Sequence, residues 1–96
     1  MKQTDFSDFQ HKLSSETKYL LLVERPAATQ VLRILFQTQH TLTEQELRIV
    51  ENEGCQVQTV AHEIVTGMIT VENLPRLAVL ALVVRIDISA ILHTEE

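Results

Sequence analysis

The sequence predicts an α/β (α+β) domain with the element order β-α-β-β-α-β. Three observations carry the prediction. Tyr19-Leu20-Leu21-Leu22-Val23 is a short apolar run closed by Arg25-Pro26. Thr43-Glu44-Gln45-Glu46 is a helix-start signature whose segment ends at Gly54. Between Gly54 and Thr70, and again at 83–88, apolar and polar residues alternate as they do on half-covered strands.

Residues 1–16 are polar apart from Phe6, Phe9 and Leu13, whose spacing would put them on one helix face. They form either a frayed arm or an amphipathic turn that docks. The run at 17–24 is expected to be the first, central strand, with Pro26 opening a helix because its fixed φ and missing N–H are harmless in a first turn. Val31, Leu32, Leu35 and Phe36 repeat at helical spacing and predict a helix over 27–39. His40-Thr41-Leu42 interrupts it.

Thr43 and Glu46 then make a capping box, with Leu42 and Leu47 at staple spacing, so a second helical segment is expected over 44–53 with Gly54 as its left-handed terminator. Val57, Thr59, Ala61 and Ile64 predict a hairpin reversing at His62-Glu63, although a longer, bent pairing fits as well. Gly67 marks a bulge or a close backbone approach. The next helix starts either at Thr70 or at Asn73, the latter leaving Pro75 in the first turn. Leu74, Leu77, Ala78 and Ala81 form its apolar face. Residues 83–88, with Arg85 and Asp87, read as the last strand, and 90–96 as a tail.

The expected layout is an arm at 1–16, a ferredoxin-like sandwich at 17–89 and a tail at 90–96. In that sandwich a four-stranded antiparallel sheet carries its helices on one face, the first crossover being enlarged by an extra helical segment. Right-handed crossovers would put the first and third strands inside the sheet. The other sheet face would be open to a partner.

Composition narrows the function classes. The 96 residues suit one domain with an aliphatic core, since Trp is absent and only three Phe occur. The net charge of −5 and the scattered eight Lys and Arg count against nucleic acid and favour a basic partner surface. The apolar stretch at 74–88 is broken by Pro75, Arg76, Arg85 and Asp87, so no membrane contact is expected. The N-terminus shows no secretory apolar run, and a cytoplasmic location is expected. Cys55 is alone and reads as a small buried hydrophobe.

His11, His40, His62 and His93 show no paired metal-ligand spacing, and the serines lie in no nucleophile pattern. Two glycines make no phosphate loop, and Glu44, Glu46, Glu51 and Glu53 read as a solvated helix face. The expectation is a protein that is not an enzyme, with no catalytic, cofactor or metal site.

One resemblance appears. Gly54 and Val57, then Thr66-Gly67-Met68-Ile69-Thr70, Glu72-Asn73-Leu74 and Leu77, then Val83-Val84-Arg85-Ile86-Asp87, resemble the prodomains of subtilisin-like serine proteases and their stand-alone inhibitor relatives. Tyr19–Val23 is similar to that family's opening strand. The chain departs from the pattern in a longer first connection, in Leu82 where a proline usually precedes the last strand, and in ending on Glu95-Glu96.

The resemblance implies a binding mechanism: the open sheet face lies on two surface helices of the protease, and the C-terminal segment enters the substrate cleft as an extended strand. By position it implies contacts from Glu63 at the hairpin tip, Arg85 and Asp87 in the last strand, and Ile91, Leu92 and His93 in the tail. A carboxylate near the tip would cap partner helix N-termini. The implied function is an inhibitor or folding chaperone of a subtilisin-like protease. The alternative is a ferredoxin-like interaction or assembly module, homodimeric in one form, with no protease partner.

Overall fold

A computed structural model describes residues 10–92 of the chain. After a 3₁₀ turn at Gln10–Lys12, the elements are α1 (Ser15–Glu24), β1 (Val31–Thr38), α2 (Glu44–Asn52), β2 (Gln56–Ala61), β3 (Ile64–Thr70), α3 (Leu74–Ala78) and β4 (Val83–Leu92). The four strands form one sheet in the order β2-β3-β1-β4, antiparallel at every pairing, with β1 and β3 inside.

The centre of the sheet is β1, in which every second side chain is buried. Leu32, Ile34 and Phe36 are fully enclosed, while Arg33, Leu35 and Gln37 point the other way and are exposed. Register carries this parity outward: Phe36 faces Val65 on β3 and Ile86 on β4, and Leu32 faces Ile69 and Ile91. Val50 of α2 and Leu74, Leu77 and Ala78 of α3 close over the buried side. Each enclosed Leu, Ile or Phe contributes roughly 1.5–3 kcal/mol by leaving water.

Two expected elements are exchanged. The segment at 17–24, expected as a strand, belongs to α1, and the segment at 27–39, expected as a helix, holds β1. The apolar run at 19–23 contains three leucines beside Lys18 and Glu24, good helix formers, and Ser14 caps its start by accepting from the Thr17 N–H at 3.1 Å. Arg25 ends the helix in a left-handed conformation, φ 46°, so Pro26 follows a helix rather than opening one. In 31–38 the spacing of Val31, Leu32, Leu35 and Phe36 is compatible with a helix. The strict two-residue alternation of burial shows that period two prevails there.

α2 starts with the expected capping box: the Glu46 N–H donates to Thr43 Oγ1 at 3.2 Å, and the Thr43 N–H donates to Glu46 Oε1 at 2.9 Å. It stops at Gly54, φ 101°, the left-handed terminator. β2 and β3 turn at His62 and Glu63, with His62 at φ 57°. Of the two starts foreseen for the following helix, α3 takes the one at Asn73. Thr70 precedes a 3₁₀ turn at Val71–Asn73, and Asn73 precedes α3 with Pro75 in the first turn; neither side chain makes a cap bond.

The N-terminal arm is docked where the structure describes it. Leu13 bridges Ile86 in the parallel sense, and the Ser14 N–H donates to the Ile86 carbonyl at 3.4 Å. Thr17 is buried; its Oγ1 accepts from the Ile88 N–H at 2.9 Å and from Ser14 Oγ at 2.9 Å. Lys12 Nζ donates to the carbonyls of Ala78 (2.8 Å) and Leu80 (2.9 Å) at the end of α3, and burial lowers its pKa. Phe6 and Phe9 lie outside the described residues. The expected tail also begins later, because Leu92, Ile91 and Ala90 pair with Val31, Leu32 and Arg33 as the last part of β4.

Two outcomes follow from these contacts. Thr17→Val keeps the shape but strips the acceptor from the Ile88 N–H, so urea unfolding should show a loss of about 1–3 kcal/mol, whereas Thr17→Ser should retain the hydrogen bond. Glu46 is held below its ordinary 4.5 first by the Thr43 N–H and then by His40, 2.9 Å away. Its folded pKa lies below its unfolded one, so its contribution is present above pH 4.5 and is lost as pH falls through the lowered folded value. The stability difference between the wild type and Glu46→Gln should therefore shrink on acidification through that range, followed by urea melts at stepped pH.

Candidate functional site

The alternation that fills one side of the sheet leaves the other uncovered. β1 presents Val31, Arg33, Leu35 and Gln37 there, β3 their partners Thr70, Met68, Thr66 and Ile64, and β4 the partners Leu92, Ala90, Asp87 and Arg85. Leu35 is 36 % exposed and Ile64 37 %. With half-buried Met68 they make a small apolar centre. Thr59 and Thr66 extend it toward β2 through a hydroxyl–hydroxyl hydrogen bond of 2.5 Å.

Among the described residues, the charges on this face are Arg33, Arg85 and Asp87. Arg85 Nε lies 3.5 Å from Asp87 Oδ2, an exposed pair of small energetic weight. Two arginines against one aspartate give the face the opposite sign to the whole chain, whose net charge is −5. A basic partner, which the net charge suggests, is thus a poor match for this particular surface.

The sheet separates the residues singled out from sequence into two groups. Arg85 faces Gln37, Asp87 faces Leu35, and Glu63 sits in the turn beside the same end of β1. The Glu63 carbonyl accepts from the Thr38 N–H at 2.8 Å and from Thr38 Oγ1 at 3.3 Å, which fixes the hairpin tip against β1. Leu92 faces Val31 at the far end, roughly 20 Å away along β1 at the strand rise of ~3.4 Å per residue. Ile91 packs toward the core opposite Leu32 and is not on the open face. His93 lies outside the described residues.

Three backbone irregularities shape the sheet, one of them at Val84, the extra residue where β4 shifts register against Gln37 and Thr38. Ser89 is the extra residue where β4 shifts register against Arg33 and Ile34, and its Oγ donates to the Arg33 carbonyl at 3.0 Å. Gln58 is the extra residue in β2. Gly67 opposite allows the approach, since a Cβ there would stand 2.6 Å from the Gln56 carbonyl oxygen. The close-approach role expected of Gly67 is thus met.

A surface the sequence did not suggest lies beside β4. Tyr19, Leu22 and Val23 of α1 are more than half exposed. A groove of about 360 Å³ runs between α1 and the end of β4, lined by Leu20, Glu24, Pro26, Gln30 and residues of β4 that include Ile91. It is invisible while 17–24 is taken as a central strand.

Among the described residues no three His, Cys, Asp or Glu side chains gather as metal ligands, and no helix is long and apolar enough to cross a membrane. Cys55 is buried, as expected; burial first, and the nearby Glu51 charge second, push its thiol up to about 11. Comparison with family models, curated proteins and solved structures finds no match for this chain.

At that pKa the thiolate fraction near neutral pH falls roughly 100-fold below that of a thiol at 9.0. Cys55 should accordingly react with Ellman's reagent at least that much more slowly in the native protein than in urea, measured as paired rates.

Proposed function

We propose that this chain is a non-catalytic binding domain of ferredoxin-like build. Its open sheet face docks on a subtilisin-like serine protease, as an inhibitor or folding chaperone. The observation that carries the reading is the face itself: Leu35 and Ile64 are exposed, beside half-buried Met68, on a sheet whose other side is closed by α2 and α3. Such a rigid, slightly apolar, slightly basic plane suits helices of another protein.

Two further features support it. The strand order β2-β3-β1-β4 is the order of a ferredoxin-like sandwich, with α1 as an addition before it. Of the residues that carry the prodomain resemblance, 66–70 lie in β3, 72–77 in the turn and helix that follow it, and 83–87 in the first half of β4. Tyr19–Val23, the part that resembles the family's opening strand, is helical in α1 and lends the reading no support. Because 90–92 pair with β1, the face contributes most of the affinity in this reading, and only the residues after Leu92 are left to reach a cleft without unpairing β4.

The test is inhibition of a purified subtilisin-like protease, with recovery of its activity on refolding as a second readout. The full chain should inhibit at micromolar concentration or better. Leu35→Asp should weaken that inhibition at least about tenfold while leaving the circular dichroism spectrum intact. Truncation after Leu92 should reduce inhibition without unfolding the sheet. The absence of both inhibition and assisted refolding at tens of micromolar, ~10⁻⁵ M, would sink the reading.

A further inference from the structure

The two edges of the sheet are treated differently. On β4 the backbone at Ile86 and Ile88 is engaged by the segment 13–17: Leu13 bridges Ile86, the Ser14 N–H reaches the Ile86 carbonyl, and Thr17 Oγ1 takes the Ile88 N–H. On β2, among the described residues, no backbone hydrogen bond reaches 56–61 except those from β3. Five of its six residues are exposed, Val60 by 40 %.

An uncovered edge usually carries a device against pairing, such as a lysine, a proline or an inward-pointing charge. β2 reads Gln-Val-Gln-Thr-Val-Ala and has neither charge nor proline. This stands out in a chain with 13 acidic and eight basic residues. The segment combines β-branched residues with neutrality, the composition that favours strand addition.

We infer that β2 is a self-association edge, on which two copies of this chain pair β2 to β2, antiparallel about a two-fold axis, into one eight-stranded sheet. The choice of a second copy rests on closure and on the absence of a like-charge pair where the two edges meet. Two chains of net charge −5 repel over most approaches, but two neutral β2 strands meet without a like-charge pair. The pairing is isologous, and on β4 the segment from Leu13 to Thr17 engages Ile86 and Ile88 and blocks a second strand there, so association stops at two. The bulge at Gln58 divides the edge into short arms, so the expected dissociation constant is modest, on the order of 10⁻⁶–10⁻⁵ M. The open face stays free in such a dimer, so this inference does not rest on the protease reading.

Sedimentation velocity on the full chain should show a reversible monomer–dimer equilibrium, with no larger species, up to roughly 100 μM. Gln58→Lys with Val60→Lys sets like charges across the axis and should weaken dimerisation at least about tenfold with unchanged far-ultraviolet circular dichroism. Gln58→Lys alone, at an exposed side chain, should move the equilibrium the same way and guards against misfolding of the double variant. Leu35→Asp, on the open face, should leave the dimer as it is. A chain monomeric throughout that range, a dimer indifferent to the lysines, a dimer lost in Leu35→Asp, or growth beyond two copies would each overturn the inference.

Discussion

The alternation of Leu32, Ile34 and Phe36 with Arg33, Leu35 and Gln37 governs this structure. It sits on the strand that pairs on both sides, so its parity is imposed by register on β3 and β4 together. One parity gives the enclosed layer under α2 and α3; the other gives a plane of Arg, Leu, Gln, Thr, Met and Ile that no helix among the described residues covers. The same choice that makes a core in a chain of this size therefore makes the surface on which a partner can lie. Reversing it would place Arg33 under the helices, where an unpaired charge costs more than the fold can spare.

The second constraint is at the edges. The segment from Lys12 to Thr17 acts at once as helix cap, edge cover and tether: Ser14 caps α1, Thr17 accepts from β4, and Lys12 holds the carbonyls at the end of α3. Small side chains with hydroxyls suit this place because they can satisfy backbone groups of two elements within a few ångströms. At the opposite edge a bulge and a run of neutral residues leave the backbone of β2 available. The molecule thus has one closed edge, one free edge and one free face, each set by a few residues.

Residues whose behaviour depends on neighbours along the chain were legible in the sequence. The capping box of Thr43 and Glu46, the left-handed Gly54, the reversal at His62-Glu63, the close approach at Gly67, buried Cys55 and the last strand all appear where local chemistry puts them. The exchange of strand and helix between 17–24 and 27–39 has a common cause. Tyr19–Val23 is apolar without a period, and the run from Val31 to Phe36 satisfies a period of two and one near four equally well, so neither segment declares its type alone. The candidate site was legible in the same uneven way. Arg85, Asp87 and the turn residue Glu63 fall near one end of the sheet, but Ile91 is drawn toward the core and Leu92 lies at the far end.

By itself the sequence determined that this is a mixed α/β chain with a capped helix at Thr43, a hairpin around His62 and a strand through Ile86. Those features are decided by hydrogen bonds and dihedral preferences among residues a few places apart. Only the tertiary structure decided which apolar segment takes the centre of the sheet, which parity of β1 faces the helices, and which edge is closed. These depend on partners far along the chain. Val65 and Ile86 had to stand on either side of Phe36 before its parity was fixed, and Ile88 had to present its N–H before Thr17 could cover the edge.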